Sequence, residues 1–248
     1  MKKQGISQEA LKLIACVTML IDHVGATLVL EWYRHASTGT NAWTLYQLYV
    51  LMRVIGRFAF PIYCFLLAEG AHYTRNPKKY ALRLAIGVVL SELPFDFAFW
   101  EGWTWAHQSV MVTMLLGFLA LEVMAKCDNK LLKVIVMLPF ALLAEEMQTD
   151  YGGAGVLLIA LFGLTRELPH RWLFQLAGMA AIIYFLIPSW FHIGQVRFPL
   201  EMFGLVALIP IALYCGRKTT SSKAVQWGFY LFYPVHLTVL YLISQFCG

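Results

Sequence analysis

Leu11-Lys12-Leu13-Ile14-Ala15-Cys16-Val17-Thr18-Met19-Leu20-Ile21-Asp22-His23-Val24-Gly25-Ala26-Thr27-Leu28-Val29-Leu30 is the stretch on which the fold turns. A helix of about 20 residues at 1.5 Å each spans the roughly 30 Å hydrocarbon core of a bilayer. Asp22-His23 falls where the apolar core of a cleavable signal peptide admits no charge, so the run is expected to persist as the first transmembrane helix. Eight more apolar segments follow between polar or Gly/Pro breaks, near 45–69, 80–100, 108–125, 131–147, 152–165, 172–188, 201–215 and 225–246. The expected fold is therefore all-α, a polytopic transmembrane bundle of about nine spans (8–10), forming one domain over 1–248. The segments 152–165 and 201–215 are short enough to be re-entrant or broken helices.

Composition and charge agree with this. Hydrophobic residues make up 60% of the 248 and charged ones only 13%, against about 25% charged in an ordinary soluble domain. A soluble enzyme is excluded on that ground. The net charge of +5 comes from bases in short clusters between apolar runs, which excludes a nucleic-acid-binding face. With the N-terminus placed inside, alternate segments hold Lys2 and Lys3; Arg75, Lys78 and Lys79; Lys126, Lys130 and Lys133; Arg166 and Arg171; Arg217, Lys218 and Lys223. Those 13 bases face only two, Arg34 and Arg197, on the other side. Such a split is what the positive-inside rule demands of nine spans with a cytoplasmic N-terminus. The five cysteines are widely spaced without a CxxC, and read as apolar filler rather than disulfides or a metal site.

The informative residues are the polar ones inside spans, because each charge costs about 2.5–3.5 kcal/mol at a helix centre and is normally paired or functional. Asp22, His23, Arg53, Arg57, Glu92, Asp96, Glu145, Glu146, Asp150, Glu201 and His236 all fall in the middle or outer half of the membrane or at its outer edge, implying a polar cavity open to the outside. Arg53 and Arg57 share a helix face, as do Glu92 and Asp96, so the two cations of the second span are expected to meet the two carboxylates of the third. Pro61, Pro94 and Pro234 each remove a helical hydrogen bond close to these groups, predicting three proline-broken helices. Glu145, Glu146 and Glu201 are expected to be solvated at the outer interface, with Trp100, Trp103 and Trp105 forming an aromatic belt there.

Lys12 and His23 are the sharpest pair. Eleven residues at about 100° each bring them to within roughly 20° of one helix face, about 16 Å apart along the axis. A molecule with a phosphate-bearing head in the cytoplasm and a thin arm could span that interval and bring a reactive group to the histidine. Asp22 cannot share the face of His23 and is expected to orient a different helix.

The strings Leu11-Lys12-Leu13-Ile14-Ala15, Met19-Leu20-Ile21-Asp22-His23-Val24-Gly25, Ile55-Gly56-Arg57-Phe58-Ala59-Phe60-Pro61-Ile62 and Ala68-Glu69-Gly70 are followed by Thr74-Arg75-Asn76-Pro77 with Tyr80 and Arg83-Leu84. Then come Ser91-Glu92-Leu93-Pro94-Phe95-Asp96, Asp150-Tyr151-Gly152 with Gly155-Val156, and Phe232-Tyr233-Pro234-Val235-His236-Leu237. In order and spacing, from residue 8 to about 242, they resemble the TraX family, named after the conjugative F-pilin acetylase. Ser109 departs from the pattern, standing after His107-Gln108 where the family usually has asparagine. The resemblance implies an integral membrane acetyltransferase of the bacterial inner or plasma membrane. It would use acetyl-CoA and modify an acceptor on the far side, a pilin-like peptide amine, a glycan or a small amine. More distantly the chain is similar to bacterial membrane O-acyltransferases, whose first-helix histidine is the catalytic base. Carried over, His23 is the base, with Asp22, His236, Glu92 and Asp96 as further catalytic candidates. Lys12, Arg53, Arg57, Glu69, Arg83 and Tyr233 are the candidate donor contacts, and Lys78, Lys79 or Arg217 would join Lys12 and Arg83 at the CoA phosphates. No metal is implied. A proton-coupled transporter using the same buried charges is the alternative.

Overall fold

Ser7 opens the first helix by accepting the Ala10 N–H on its hydroxyl at 3.2 Å. In this computed structural model, which describes residues 5–36, 39–100, 102–187, 189–193, 196–216 and 222–247, helix α1 (Gln8–Val24) passes through a π-helical turn (Gly25–Val29) into α2 (Leu30–His35). Leu11, Ala15, Thr18 and Asp22, spaced four, three and four apart, form its buried face. Leu13, Val17 and Leu20 point outward. Aliphatic side chains outside while Thr18 and Asp22 turn inside is the reverse of what water favours, and lipid is the surround that suits it.

The next helices are α3 (Thr40–Gly56), α4 (Ala59–Tyr73), α5 (Pro77–Trp100), α6 (Val110–Met124), α7 (Lys130–Glu146), α8 (Gly152–Thr165) and α9 (Arg171–Leu186). A two-stranded antiparallel hairpin, β1 (Trp190–Ile193) with β2 (Val196–Pro199), leads into a 3-10 helix (Leu200–Ala207), α10 (Leu208–Ala212) and α11 (Lys223–Cys247). The all-α expectation holds apart from this hairpin. Among the described residues each of the nine apolar segments carries helix, and three helical stretches, Gln8–His35, Asn41–Tyr73 and Ala224–Phe246, are long and apolar enough to cross a membrane. Lys2, Lys3, Arg217 and Lys218 lie outside the described residues.

The short segments have physical explanations. Helix α8 is apolar all round and packs against α4, α6, α7 and α9, as a helix sheathed by others does. Segment 201–215 begins in the 3-10 helix, whose rise of about 2.0 Å per residue stretches few residues further than an α-helix would.

Helix ends gather at two poles. At one, Ile6 pairs with Tyr214, and Arg166 after α8 bonds Glu69 of α4 at 2.8 Å. At the other, Gln108 before α6 pairs with Thr149 after α7.

Of the three prolines, only Pro61 accompanies a break: the chain turns at Arg57-Phe58, where the Arg57 and Phe58 N–H groups bond three residues back, to Val54 and Ile55, at 3.3 Å each. Pro94 and Pro234 sit inside α5 and α11, which run on through them. The expectation of three proline-broken helices is thus corrected to one, because a proline deletes a single hydrogen bond and flanking packing can hold the helix together across it. A second irregularity, the π-turn, begins two residues after His23 and has no proline; π-bulges of this kind recur at functional sites.

Candidate functional site

A cavity of about 880 Å³ runs between the poles. Lys12, Tyr73, Tyr80, Arg83, Phe229 and Tyr230 line one part, and Asp22, His23, Arg57, Tyr233, Asp150 and Tyr151 another. A cavity was expected from the polar residues, and the one present reaches the N-terminal pole as well. Lys12 and His23 both face it, as their shared helix face requires. The Lys12 ammonium stands 5.3 Å from the centroid of the Phe229 ring, within cation–π range. Arg83 sits over the Tyr80 ring at 5.8 Å and bonds its own helix at the Lys79 carbonyl. Lys78 and Lys79 are exposed beyond this mouth, and Arg217 lies outside the described residues.

Next to His23 lies a buried ion cluster. Asp22 accepts from Arg53 on one oxygen and from Arg57 on the other, both at 2.7 Å. Arg57 also pairs with Glu201, donates to the Tyr151 hydroxyl at 3.3 Å, and places its Nε on the Arg53 carbonyl at 3.0 Å. That carbonyl is available because the break after α3 diverts the Arg57 N–H to Val54. One guanidinium thus ties α1, α3, the 3-10 helix and the start of α8 together. Gly56 makes room for this: a Cβ there would collide with the Asp22 carboxylate.

Two sequence expectations are overturned here. The arginines do not meet Glu92 and Asp96; α1 and the 3-10 helix pack on α3 and supply the carboxylates, whereas α5 packs on α6 and α11. Glu201 is not a solvated interface residue but 7% exposed, because Arg57 draws it inward. Glu92 instead accepts the Ser109 hydroxyl at 2.7 Å and the Ser109 N–H at 3.2 Å, a carboxylate on the N-cap residue of α6. Serine at 109 therefore keeps a polar contact where the family pattern has asparagine. Asp96 accepts the Thr104 N–H at 3.1 Å and secures the loop after α5. Neither carboxylate lines the cavity.

Asp22 holds arginines rather than His23, in keeping with its position off the histidine's face. His23 pairs with His236 of α11, Nδ1 to Nε2, at 2.6 Å, and His236 Nδ1 lies 2.6 Å from the Phe232 carbonyl. Phe99 and Tyr233 meet the His23 ring edge-on at 5.3 and 6.0 Å. Tyr233 is hydrogen-bonded to the Val110 backbone at the start of α6. Glu69 lines the cavity but is paired with Arg166, which also donates to the Tyr73 hydroxyl at 2.8 Å.

Sequence reasoning missed Glu201, Tyr151, Gly56 and a fourth contact, between Cys16 Sγ and the Tyr63 hydroxyl at 3.1 Å. The string Asp150-Tyr151-Gly152 was a signal for Tyr151, but nothing local distinguished Glu201 from an interfacial acid.

Comparison with known proteins places the chain firmly. The family model described as TraX protein matches residues 7–244, and the chain belongs to that family. It is 28% identical over 249 residues, covering 95% of each chain, to a probable fimbrial assembly protein FimC, serogroup H1, of Dichelobacter nodosus. No solved structure matches it.

Proposed function

We propose that this TraX-family membrane protein is an acetyltransferase of the bacterial inner membrane that carries an acetyl group from cytoplasmic acetyl-CoA to an amine or hydroxyl on the extracytoplasmic side. The observation that carries the proposal is the cavity that has Lys12 and Arg83 in one part and His23 in another. Nine spans with the N-terminus inside, as the distribution of basic residues indicates, put the Lys12 mouth at the cytoplasm and His23 beyond the midplane. Lys12 and Arg83 would then meet the anionic CoA head, and the pantetheine arm would lie along the channel toward His23.

His23 accepts the proton of the acceptor N–H or O–H, and the acceptor attacks the thioester carbonyl. The C–S bond then breaks and CoA leaves as its thiolate, which takes up a proton to become the free thiol. Tyr233, whose ring meets the His23 ring edge-on, offers its hydroxyl to the developing oxyanion. Arg53 and Arg57, already engaged by Asp22 and Glu201, hold α1 in register rather than contacting the donor. The fimbrial relative supports an acceptor of the surface-fibre type, such as a pilin-like peptide amine, with a glycan or small amine as the other chemistries that fit.

The test is acetyl-CoA turnover by the purified protein in nanodiscs, followed by free thiol release with and without candidate acceptors. His23→Ala is expected to abolish release while the protein elutes and unfolds like the wild type; retained turnover would remove the base role. Lys12→Ala is expected to raise KM for acetyl-CoA about 10- to 100-fold, the worth of one charge-assisted contact, at little change in kcat. If the wild type neither binds nor turns over acetyl-CoA but moves protons in liposomes, the transporter reading replaces this one.

A further inference from the structure

Three atoms in a row determine where the protons sit in the histidine pair. The Phe232 carbonyl can only accept, so His236 Nδ1, 2.6 Å from it, carries a hydrogen. In a neutral imidazole the other nitrogen then holds a lone pair, so His236 Nε2 is an acceptor. His23 Nδ1, 2.6 Å away, must donate to it and carries the second hydrogen. His23 Nε2, the remaining nitrogen of a side chain that lines the cavity, is left as the free lone pair.

Ring geometry supports a true hydrogen bond. The two planes are tilted by only 11° and the centroids lie 4.9 Å apart. That separation is the nitrogen–nitrogen distance plus the radius of an imidazole ring at each end, so the rings meet edge to edge in nearly one plane and not face to face. The chain is anchored at its far end, since the carbonyl belongs to the same helix as His236, one turn earlier.

We propose that His236 is the positioning residue of the site: through the sequence Phe232 carbonyl, His236, His23 it holds His23 in the Nδ1–H tautomer and aims the Nε2 lone pair into the cavity. The proposal rests on the transferase reading for its catalytic consequence. When the acceptor proton passes to His23 Nε2, the imidazolium formed keeps its Nδ1–H bond to the neutral His236, which disperses the new charge without itself gaining a proton. In the serine protease triad an aspartate does this work, and disturbing the tautomer there lowers kcat about 10⁴-fold. A neutral imidazole is a weaker anchor than a carboxylate, so a smaller effect is expected here.

The experiment compares His236→Leu and His236→Gln. Glutamine places an amide oxygen where Nε2 stood and keeps an N–H for the Phe232 carbonyl; leucine keeps only bulk. His236→Leu is expected to lower kcat about 10²-fold, within the range of general-base catalysis, with KM for acetyl-CoA unchanged, and His236→Gln to recover at least a tenth of wild-type kcat. Nitrogen NMR of histidine-labelled protein in micelles, assigned with a His23→Gln variant, should find His23 protonated on Nδ1 in the wild type and in His236→Gln, and a tautomer mixture in His236→Leu. Equal losses for leucine and glutamine, or a wild-type His23 protonated on Nε2, would overturn the proposal. If the wild type itself turns nothing over while its His23 tautomer is as stated, the transferase reading fails and the pairing stands. Should His236→Leu not fold, the wild-type tautomer and the glutamine variant decide the matter.

Discussion

Asp22 and Glu201 occupy one side of the bundle, Glu92 and Asp96 another, and all four are carboxylates in apolar segments of one chain. The first two are joined across three elements by Arg57, next to the cavity. The second two accept hydrogen bonds from the loop and cap between α5 and α6, away from it. Burial alone does not separate the pairs: Glu92 is only partly buried, but Asp96 is as hidden as Asp22. What differs is the partner. A buried carboxylate facing a guanidinium is held by an opposite charge, whereas one facing backbone and hydroxyl donors is held by dipoles, and removing a partner has a different consequence in each case.

The largest expected effect comes from Arg57→Ala, which strands the buried Glu201 carboxylate and leaves Asp22 with Arg53 as its remaining cation. Loss of one partner of a buried pair costs about 3–5 kcal/mol, so thermal unfolding in detergent should fall sharply and transfer should be lost with it. Arg57→Lys is expected to rescue only part, because an ammonium cannot reproduce the planar fork that reaches Asp22, Glu201 and Tyr151 together. A stable Arg57→Ala protein would break the comparison at its stronger end.

Gly56→Ala comes next. Its methyl group would displace the Asp22 carboxylate, and overpacking of this kind costs about 1–3 kcal/mol. The same melting assay reads it, and Asp22→Asn combined with Gly56→Ala should lose less than the two single effects added, since both act on one contact.

Glu92→Gln is the mildest. The amide still accepts from Ser109 but loses the charge, so a destabilisation of about 1 kcal/mol is expected, with thiol release within a few-fold of wild type. A variant that unfolds cleanly yet cannot transfer acetyl would show that Glu92 belongs with the site and not with the cap of α6.

How much of this was legible in the sequence differs by residue. The Lys12–His23 face was readable because both residues lie on one helix, where 3.6 residues per turn converts sequence spacing directly into direction. Asp22 could be assigned away from the His23 face by the same arithmetic. The partner of Arg57 could not: the i,i+4 pattern of Glu92 and Asp96 was as good a match as any, and only helix packing chose Asp22 and Glu201 instead.

Prolines show the same boundary from the backbone side. Pro61, Pro94 and Pro234 each lack an N–H, which the residue type alone guarantees, but whether the helix breaks depends on what surrounds it, and just one of the three marks a break. By itself, then, the sequence determined the solvent, the helical segments, the family and the face shared by Lys12 and His23, because these rest on composition, order and local periodicity. Tertiary structure alone decided which charges pair, that His236 meets His23 from 213 residues away, and that one cavity joins Lys12 to His23, because contacts between distant segments depend on how helices pack and not on any local period.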